Sequence, residues 1–329
     1  MKKRIVLYKR LSDELMARLQ EQVEVTWVDM AQPDGLARLR DALPGARGLL
    51  GASLRIDGSL LDLAPQLEVI SSVSVGVDNY DLAELSHRRV LLTNTPDVLT
   101  ETTADTGFAL ILASARRVVE LAGWVRDGHW RASLGPAHFG SDVHGKTLGI
   151  VGMGRIGEAL ARRGAAGFGM RVLYHSRGAR PEVEARYAAR HCSLDELLRH
   201  ADFVCLTVPL NAETQGLIGR RELALMKPEA ILVNIARGRV VDEAALIDAL
   251  RERRIRGAGL DVFSQEPLAP DSPLLGLDNV VATPHIGSAT RETREAMARC
   301  AVENLLQALA GKRPANLVNE GAWDALTPR

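Results

Sequence analysis

The segment 146–157, KTLGIVGMGRIG, constrains this chain more than any other. Its apolar run, 148–151, has no polar alternation, which predicts a strand buried on both faces of a parallel sheet. The run ends in glycines at 152, 154 and 157, and the helix-like EALARRGAAGF follows. In such a strand–turn–helix each glycine has its own steric duty. Gly152 permits the tight turn, Gly154 lets backbone approach a pyrophosphate, and Gly157 lets helix and strand pack closely. The helix N-terminus then directs free N–H groups at the phosphates. A dinucleotide site is the expectation.

At 329 residues, with roughly 150 per domain as a guide, two domains are expected. The 41 basic and 41 acidic residues cancel, so charge gives no reason to expect nucleic acid or a membrane surface as partner. No apolar stretch approaches the ~20 residues that span a bilayer. The N-terminal MKKRIVLYKRLSDEL is charged like a signal peptide, but its apolar run 5–8 is too short for one and reads as a first strand. Cys192, Cys205 and Cys300 are too widely spaced for a CxxC metal site or a disulfide framework. The scattered histidines, His129, His138 and His144 among them, lack ligand spacing, so no metal is expected. A cytoplasmic location is the expectation.

Strands and helices alternate along the chain. Strands are expected at 5–8, 23–28, 48–51, 69–72 and 90–93, with a helix over 12–22 starting at a Ser cap. Residues 101–122 read as one long helix of about six turns. The segment 127–145, which carries Trp130 and His138, reads as a long loop of functional or interface character. A second block has strands at 148–151, 171–174, 203–207, 231–235, 259–262 and 280–282, with helices at 158–168, 193–200 and 242–251. A last helix over 288–309, closed by Gly311, has no strand after it and is expected to pack back on the first block. This pattern predicts an α/β protein of two doubly wound parallel-sheet domains. One is a discontinuous, flavodoxin-like substrate domain, 1–99 with 290–329, and the other a Rossmann dinucleotide domain, 100–289. The active site is expected in the cleft between them.

Units that bind NAD place an acid at the end of the second strand, on the ribose 2′-OH. Here no Asp or Glu occurs from 159 to 181; that strand end carries His175, Ser176, Arg177 and, further on, Arg180. A hydroxyl and guanidinium groups suit the 2′-phosphate of NADPH, with which Arg forms charge-assisted, bidentate bonds. NADPH is the expected cofactor, with NADH possible.

Three polar residues stand just past strand ends of the second block: Arg237 after AILVNIA, Glu266 after GAGLDVFSQ, and His285 after NVVATP. Ligands of open parallel sheets bind outside those carboxyl ends. Singly, they could be a surface charge, a turn residue and a helix-entry residue; together, beside the glycine motif, they suggest a catalytic set. VGMGRIG, NIARG, GLDVFSQEPL and TPHIGSAT, in this order, resemble the signatures of the D-2-hydroxyacid dehydrogenase family. SVSVGVDNYDL, TPDVLTETTADT and PLLGLDNVVATPHIGSATRETR resemble its branch that reduces glyoxylate, hydroxypyruvate and 2-ketogluconate.

The resemblance implies residue roles. His285 would give a proton to the substrate carbonyl, Glu266 would hold the imidazole and favour its charged form, and Arg237 would bind the substrate oxygens. Backbone N–H groups of Val75 and Gly76 would hold the carboxylate. Thr103, Arg155, Ile156, Val208, Pro209, Thr214, Ile235 and Ala236 would line the cofactor, Asp261 would bind its carboxamide, and Ser288 would touch cofactor or substrate. It also implies a small 2-oxo acid as substrate and a homodimer. Other substrates of the family (phosphoglycerate, formate, phosphite) and a corepressor-like NAD(P)-sensing protein remain as alternatives.

Overall fold

Strands without polar alternation need cover on both faces, and the computed structural model, which describes residues 1–326, meets that need twice. By internal contacts the chain divides into Met1–Leu99 together with the segment from Thr290 on, and Thr100–Ala289.

The first unit holds β1 (Arg4–Leu7), β2 (Glu24–Trp27), β3 (Gly48–Gly51), β4 (Val69–Ser72) and β5 (Leu91–Thr93), all parallel in the order β2-β1-β3-β4-β5. That is the flavodoxin-like order, with its switch point between β1 and β3. The helix Arg291–Leu309 packs on this sheet. A Cβ at Gly48 would lie 2.9 Å from Leu305 Cδ1, and Ser71 Oγ donates to Ala301 O at 2.7 Å. Thr290 caps this helix, its Oγ1 accepting from Thr293 N.

The second unit holds β6 (Thr147–Val151), β7 (Arg171–His175), β8 (Arg190–His191), β9 (Phe203–Leu206), β10 (Ile231–Asn234), β11 (Gly257–Leu260) and β12 (Val280–Ala282). They too are parallel, in the order β12-β11-β10-β9-β6-β7-β8, and β6 is buried at every position. The chain reverses its winding between β6 and β9, which puts the glycine turn at the switch point. Both sheets are doubly wound, as expected. Among the described residues no helix is long and apolar enough to cross a membrane.

Three local expectations need correction. The long helix is two helices, Thr100–Ala115 and Val118–Arg126. The carbonyl of Ala115 accepts from Ser141 N (2.8 Å), and Gly140 is seated on the break, where a Cβ would lie 2.5 Å from that oxygen. Arg117 turns into the left-handed region (φ 54), its guanidinium held by Glu120 and by Ala137 O (2.6 Å). Helical periodicity alone does not reveal a returning loop that takes a carbonyl from the helix. The second sheet also has a seventh strand, β8, two residues long and too short to show a pattern. Finally, β11 starts two residues earlier than expected, at Gly257. Its glycines meet neighbours closely: a Cβ at Gly257 would lie 2.6 Å from Asn279 O, and one at Gly259 2.9 Å from Leu110 Cβ.

The glycine turn matches its steric reading. Gly152 has φ 103, Gly154 caps the helix Arg155–Arg162, and a Cβ on Gly154 would meet nothing within 4 Å. A Cβ on Gly157 would instead overlap the carbonyl oxygen of Gly152. Gly157→Ala should therefore cost about 1–3 kcal/mol of stability and weaken dinucleotide binding. Thermal melts and cofactor titration check this; a melting temperature unchanged to within about 1 °C would contradict it.

Candidate active site

The chemistry-bearing side chains of the second unit follow three neighbouring strands, β10, β11 and β12. At the end of β10, Asn234 is buried and ties down the turn that follows: Oδ1 accepts from Ala236 N (3.0 Å) and Nδ2 donates to Arg237 O (3.0 Å). Arg237 Nη1 donates to Ala236 O at 2.8 Å. Next comes Gly238, where a Cβ would overlap the backbone of Phe263 and Ser264. Only glycine allows the Arg237 turn to sit on the loop that leads to Glu266.

That loop is braced twice more. Ser264 N donates to Glu243 Oε2 (2.9 Å), and Phe263 N donates to Glu266 Oε1 (3.0 Å). The other oxygen of Glu266, Oε2, accepts from His285 Nδ1 at 2.6 Å. This bond leaves Nε2 as the ring atom that gives or takes a proton. Partial burial opposes ionisation of Glu266. The hydrogen bonds from His285 and the Phe263 amide, with the charges of His285 and Arg237, outweigh it and hold the carboxyl below its usual range.

Past β12, His285 has φ 54, a left-handed conformation that costs a non-glycine residue about 1–2 kcal/mol. Asp261, buried at the outlet of β11, stabilises this bend. Its Oδ1 accepts from Thr283 Oγ1 (2.7 Å) and Ile286 N (2.7 Å), and its Oδ2 from Gly287 N (2.8 Å). The carboxylate expected to meet a carboxamide thus anchors the histidine loop, with acceptor capacity left on Oδ2. Thr103 is buried beside that loop, 3.4 Å from where a Gly287 Cβ would stand, and Ser288 follows it.

Fit to a dinucleotide rests on the open space at Gly154 and the helix N-terminus at Arg155 and Ile156. The switch-point crevice is bordered on its β9 side by Val208, Pro209 and Thr214, with Thr214 Oγ1 donating to Pro209 O (2.6 Å). Ile235 and Ala236 are buried after β10. At the end of β7, His175 Nδ1 bonds Cys192 O (3.1 Å) and Ser176 Oγ donates to Gly178 O (2.6 Å). Arg180 is engaged locally: its Nη1 donates to Met153 O (2.8 Å) and its Nε to Glu182. Arg177 is exposed and, among the described residues, makes no hydrogen bond or ion pair.

Val75 and Gly76 belong to the first unit, in the loop after β4, where Asn94 Nδ2 donates to Val75 O (2.9 Å) and Ser74 Oγ to Gly76 O (3.0 Å). In the 127–145 loop His138 packs on Trp124 (ring centroids 4.9 Å apart), while Trp130 is exposed. Among the described residues no cluster of three His, Cys, Asp or Glu side chains could hold a metal. Sequence reading passed over Asn234, Gly238 and Thr283. A polar residue ending an apolar strand (Asn234) and a glycine beside the candidate Arg237 (Gly238) were the available signals.

Asp261→Ala leaves one hydroxyl and two amides without their acceptor and should cost about 3 kcal/mol or more, read by denaturant unfolding. A loss below about 1 kcal/mol would contradict the anchoring role. Glu266 has a depressed folded-state pKa. Its contribution to stability is full above the unfolded value of about 4.3 and is lost as pH falls through the lower folded value. Between about pH 6 and pH 3 the wild type should thus lose more stability than Glu266→Gln; parallel curves would contradict this.

Comparison with known proteins places the chain among its relatives. The family model "D-isomer specific 2-hydroxyacid dehydrogenase, NAD binding domain" matches residues 108–287. The chain is 56% identical over 319 residues to glyoxylate/hydroxypyruvate reductase B of Klebsiella pneumoniae, covering 97% of this chain and 99% of that one. It is also 56% identical to the Escherichia fergusonii protein of the same name, covering 97% and 98%. Among solved structures, the NADPH-dependent glyoxylate/hydroxypyruvate reductase of Sinorhizobium meliloti, in complex with NADP and malonate, superposes with a TM-score of 0.86 at 33% identity, covering 98% of each chain. The chain belongs to the D-isomer-specific 2-hydroxyacid dehydrogenase family and is an NAD(P)-dependent oxidoreductase acting on CH–OH donors.

Proposed function

We propose that this enzyme is an NADPH-preferring reductase of 2-oxo acids, converting glyoxylate to glycolate, hydroxypyruvate to D-glycerate and 2-keto-D-gluconate to D-gluconate. The observation that carries the reading is the His285–Glu266 hydrogen bond beside Arg237, in one unit with the glycine turn. The names of the relatives from Klebsiella pneumoniae and Sinorhizobium meliloti support the two smaller substrates. The NADPH preference is supported by the absence of acid from 159 to 181, by exposed Arg177, and by the NADP held by the Sinorhizobium meliloti relative.

A bound nicotinamide supplies the hydride. The chain's own residues do the rest. His285 gives its Nε2 proton to the carbonyl oxygen, with Nδ1 held by Glu266 throughout. The guanidinium of Arg237 stabilises the negative charge that develops on that oxygen. The Val75 and Gly76 amides are assigned to the substrate carboxylate, and Asp261 Oδ2 to the carboxamide as a second task. The exposed apolar side chains Val118, Val119, Val125, Trp130, Leu134 and Phe139 support a homodimer, and the reading includes a cytoplasmic location.

His285→Ala should lower turnover by about 10²–10⁴, the usual worth of a general acid; a mild loss removes it from that role. Replacing Arg177 should lower kcat/KM with NADPH more than with NADH. Equal losses would exclude a phosphate contact, and wild-type enzyme that binds NADPH but turns over none of the three acids would overturn the reading.

A further inference from the structure

Within the first unit, the seam between helices Asp13–Gln22 and Arg291–Leu309 is a ladder of matched polar pairs. Arg18 Nη1 donates to Glu303 Oε1 (3.2 Å), Arg299 Nη1 to Glu14 Oε1 (3.0 Å), and Ser12 Oγ to Glu295 Oε1 (3.1 Å). One step nearer the carboxyl edge of the sheet the matching fails. There Lys9, just past β1, lies within electrostatic reach of Arg294, a charge of the same sign near the start of the second helix. Both are partly buried, and among the described residues neither side chain makes a hydrogen bond or ion pair.

Burial and the charge of Arg294 push the Lys9 ammonium below its usual range. Arg294 also stands near the start of a 19-residue helix, the end whose dipole disfavours cations. The pair offers only donors, three from the ammonium and up to five from the guanidinium, and among the described residues no acceptor takes a hydrogen bond from either side chain. The seam, complementary along its length, thus ends in two cations with donors to spare. That end lies beside the β1/β3 switch point, where open parallel sheets bind ligands.

We propose that Lys9 and Arg294 form a second substrate subsite, which binds the oxygen-bearing far end of a sugar-acid substrate, hydroxyl or carboxylate. The inference rests on the 2-oxo acid reading above. The assigned carboxylate amides, Val75 and Gly76, follow β4, two strand spacings (about 10 Å) from β1. A six-carbon acid spans roughly 6 Å between its end carbons, from C–C bonds of about 1.5 Å, and hydrogen bonds of about 3 Å at the two ends close the remainder. Two-carbon glyoxylate leaves the subsite unused, so Lys9 and Arg294 set the preference for long over short substrates.

The test compares wild type, Lys9→Met and Arg294→Met on glyoxylate, on 2-keto-D-gluconate, and on the same acid carrying a carboxylate at C6. In each variant the ratio of kcat/KM for the six-carbon acids to that for glyoxylate should fall about 10–100-fold, the worth of a charged hydrogen bond. A larger fall for the C6 carboxylate identifies an oxyanion as the preferred group, and a larger fall for 2-keto-D-gluconate identifies hydroxyls. Ratios unchanged to within about threefold in both variants overturn the subsite, whatever happens to overall activity. Calorimetric titration with D-gluconate needs no turnover and should show a matching loss of affinity. If wild type reduces none of the acids, the activity reading fails by itself. The titration still decides the subsite, which is removed by absent binding or by equal binding in wild type and variants. Melting temperatures no lower than wild type establish that the variants fold.

Discussion

The grip of one buried carboxylate on a bent loop underlies the rest of the site. Asp261 takes three hydrogen bonds from the 283–287 segment, and these hold His285 in a backbone conformation that side chains avoid. Several bonds to one carboxylate, each worth about 1.5–3 kcal/mol, exceed the 1–2 kcal/mol cost of that bend. With the loop anchored, the imidazole reaches Glu266 at 2.6 Å without a further ordering cost at each turnover.

The neighbouring loops are fixed in the same way, by hydrogen bonds and close packing that involve backbone groups. Asn234 holds the Arg237 turn, Gly238 seats that turn on Phe263 and Ser264, and the Phe263 amide orients Glu266. Arg237, Glu266 and His285 come from three successive strand outlets; Glu266 bonds His285, and the Arg237 turn meets the Glu266 loop through Gly238. The positive charges of Arg237 and His285 keep Glu266 ionised, and an ionised Glu266 is the acceptor that orients the ring. Removing His285 or Arg237 takes from Glu266 part of what holds its carboxyl in the charged form.

Much of this was legible in the chain. The glycine spacing at 152, 154 and 157 corresponds to three different steric situations in the structure: a positive φ, an open approach and a carbonyl in contact. Unalternating apolar runs marked the parallel strands, since such strands must be covered on both faces. The break at Arg117 and the two-residue β8 were not legible. The first depends on Ser141, far along the chain, taking the Ala115 carbonyl, and the second is too short for any periodicity. Asp261 stands in the sequence just past an apolar run, but its partners lie more than twenty residues away and no local pattern announces them.

The chain by itself determined what depends on neighbours in sequence: which segments are strands and helices, where the glycine turn lies, and which polar residues stand at strand outlets. Those follow from periodicity and from the conformational freedom of glycine, both local properties. Only the tertiary structure decided which of those polar residues touch. Separations of 19 residues between Glu266 and His285, and of 283 between Ser12 and Glu295, are closed by the packing of strands and helices. Hydrogen-bond geometry at about 3 Å is a property of that packing and not of spacing along the chain.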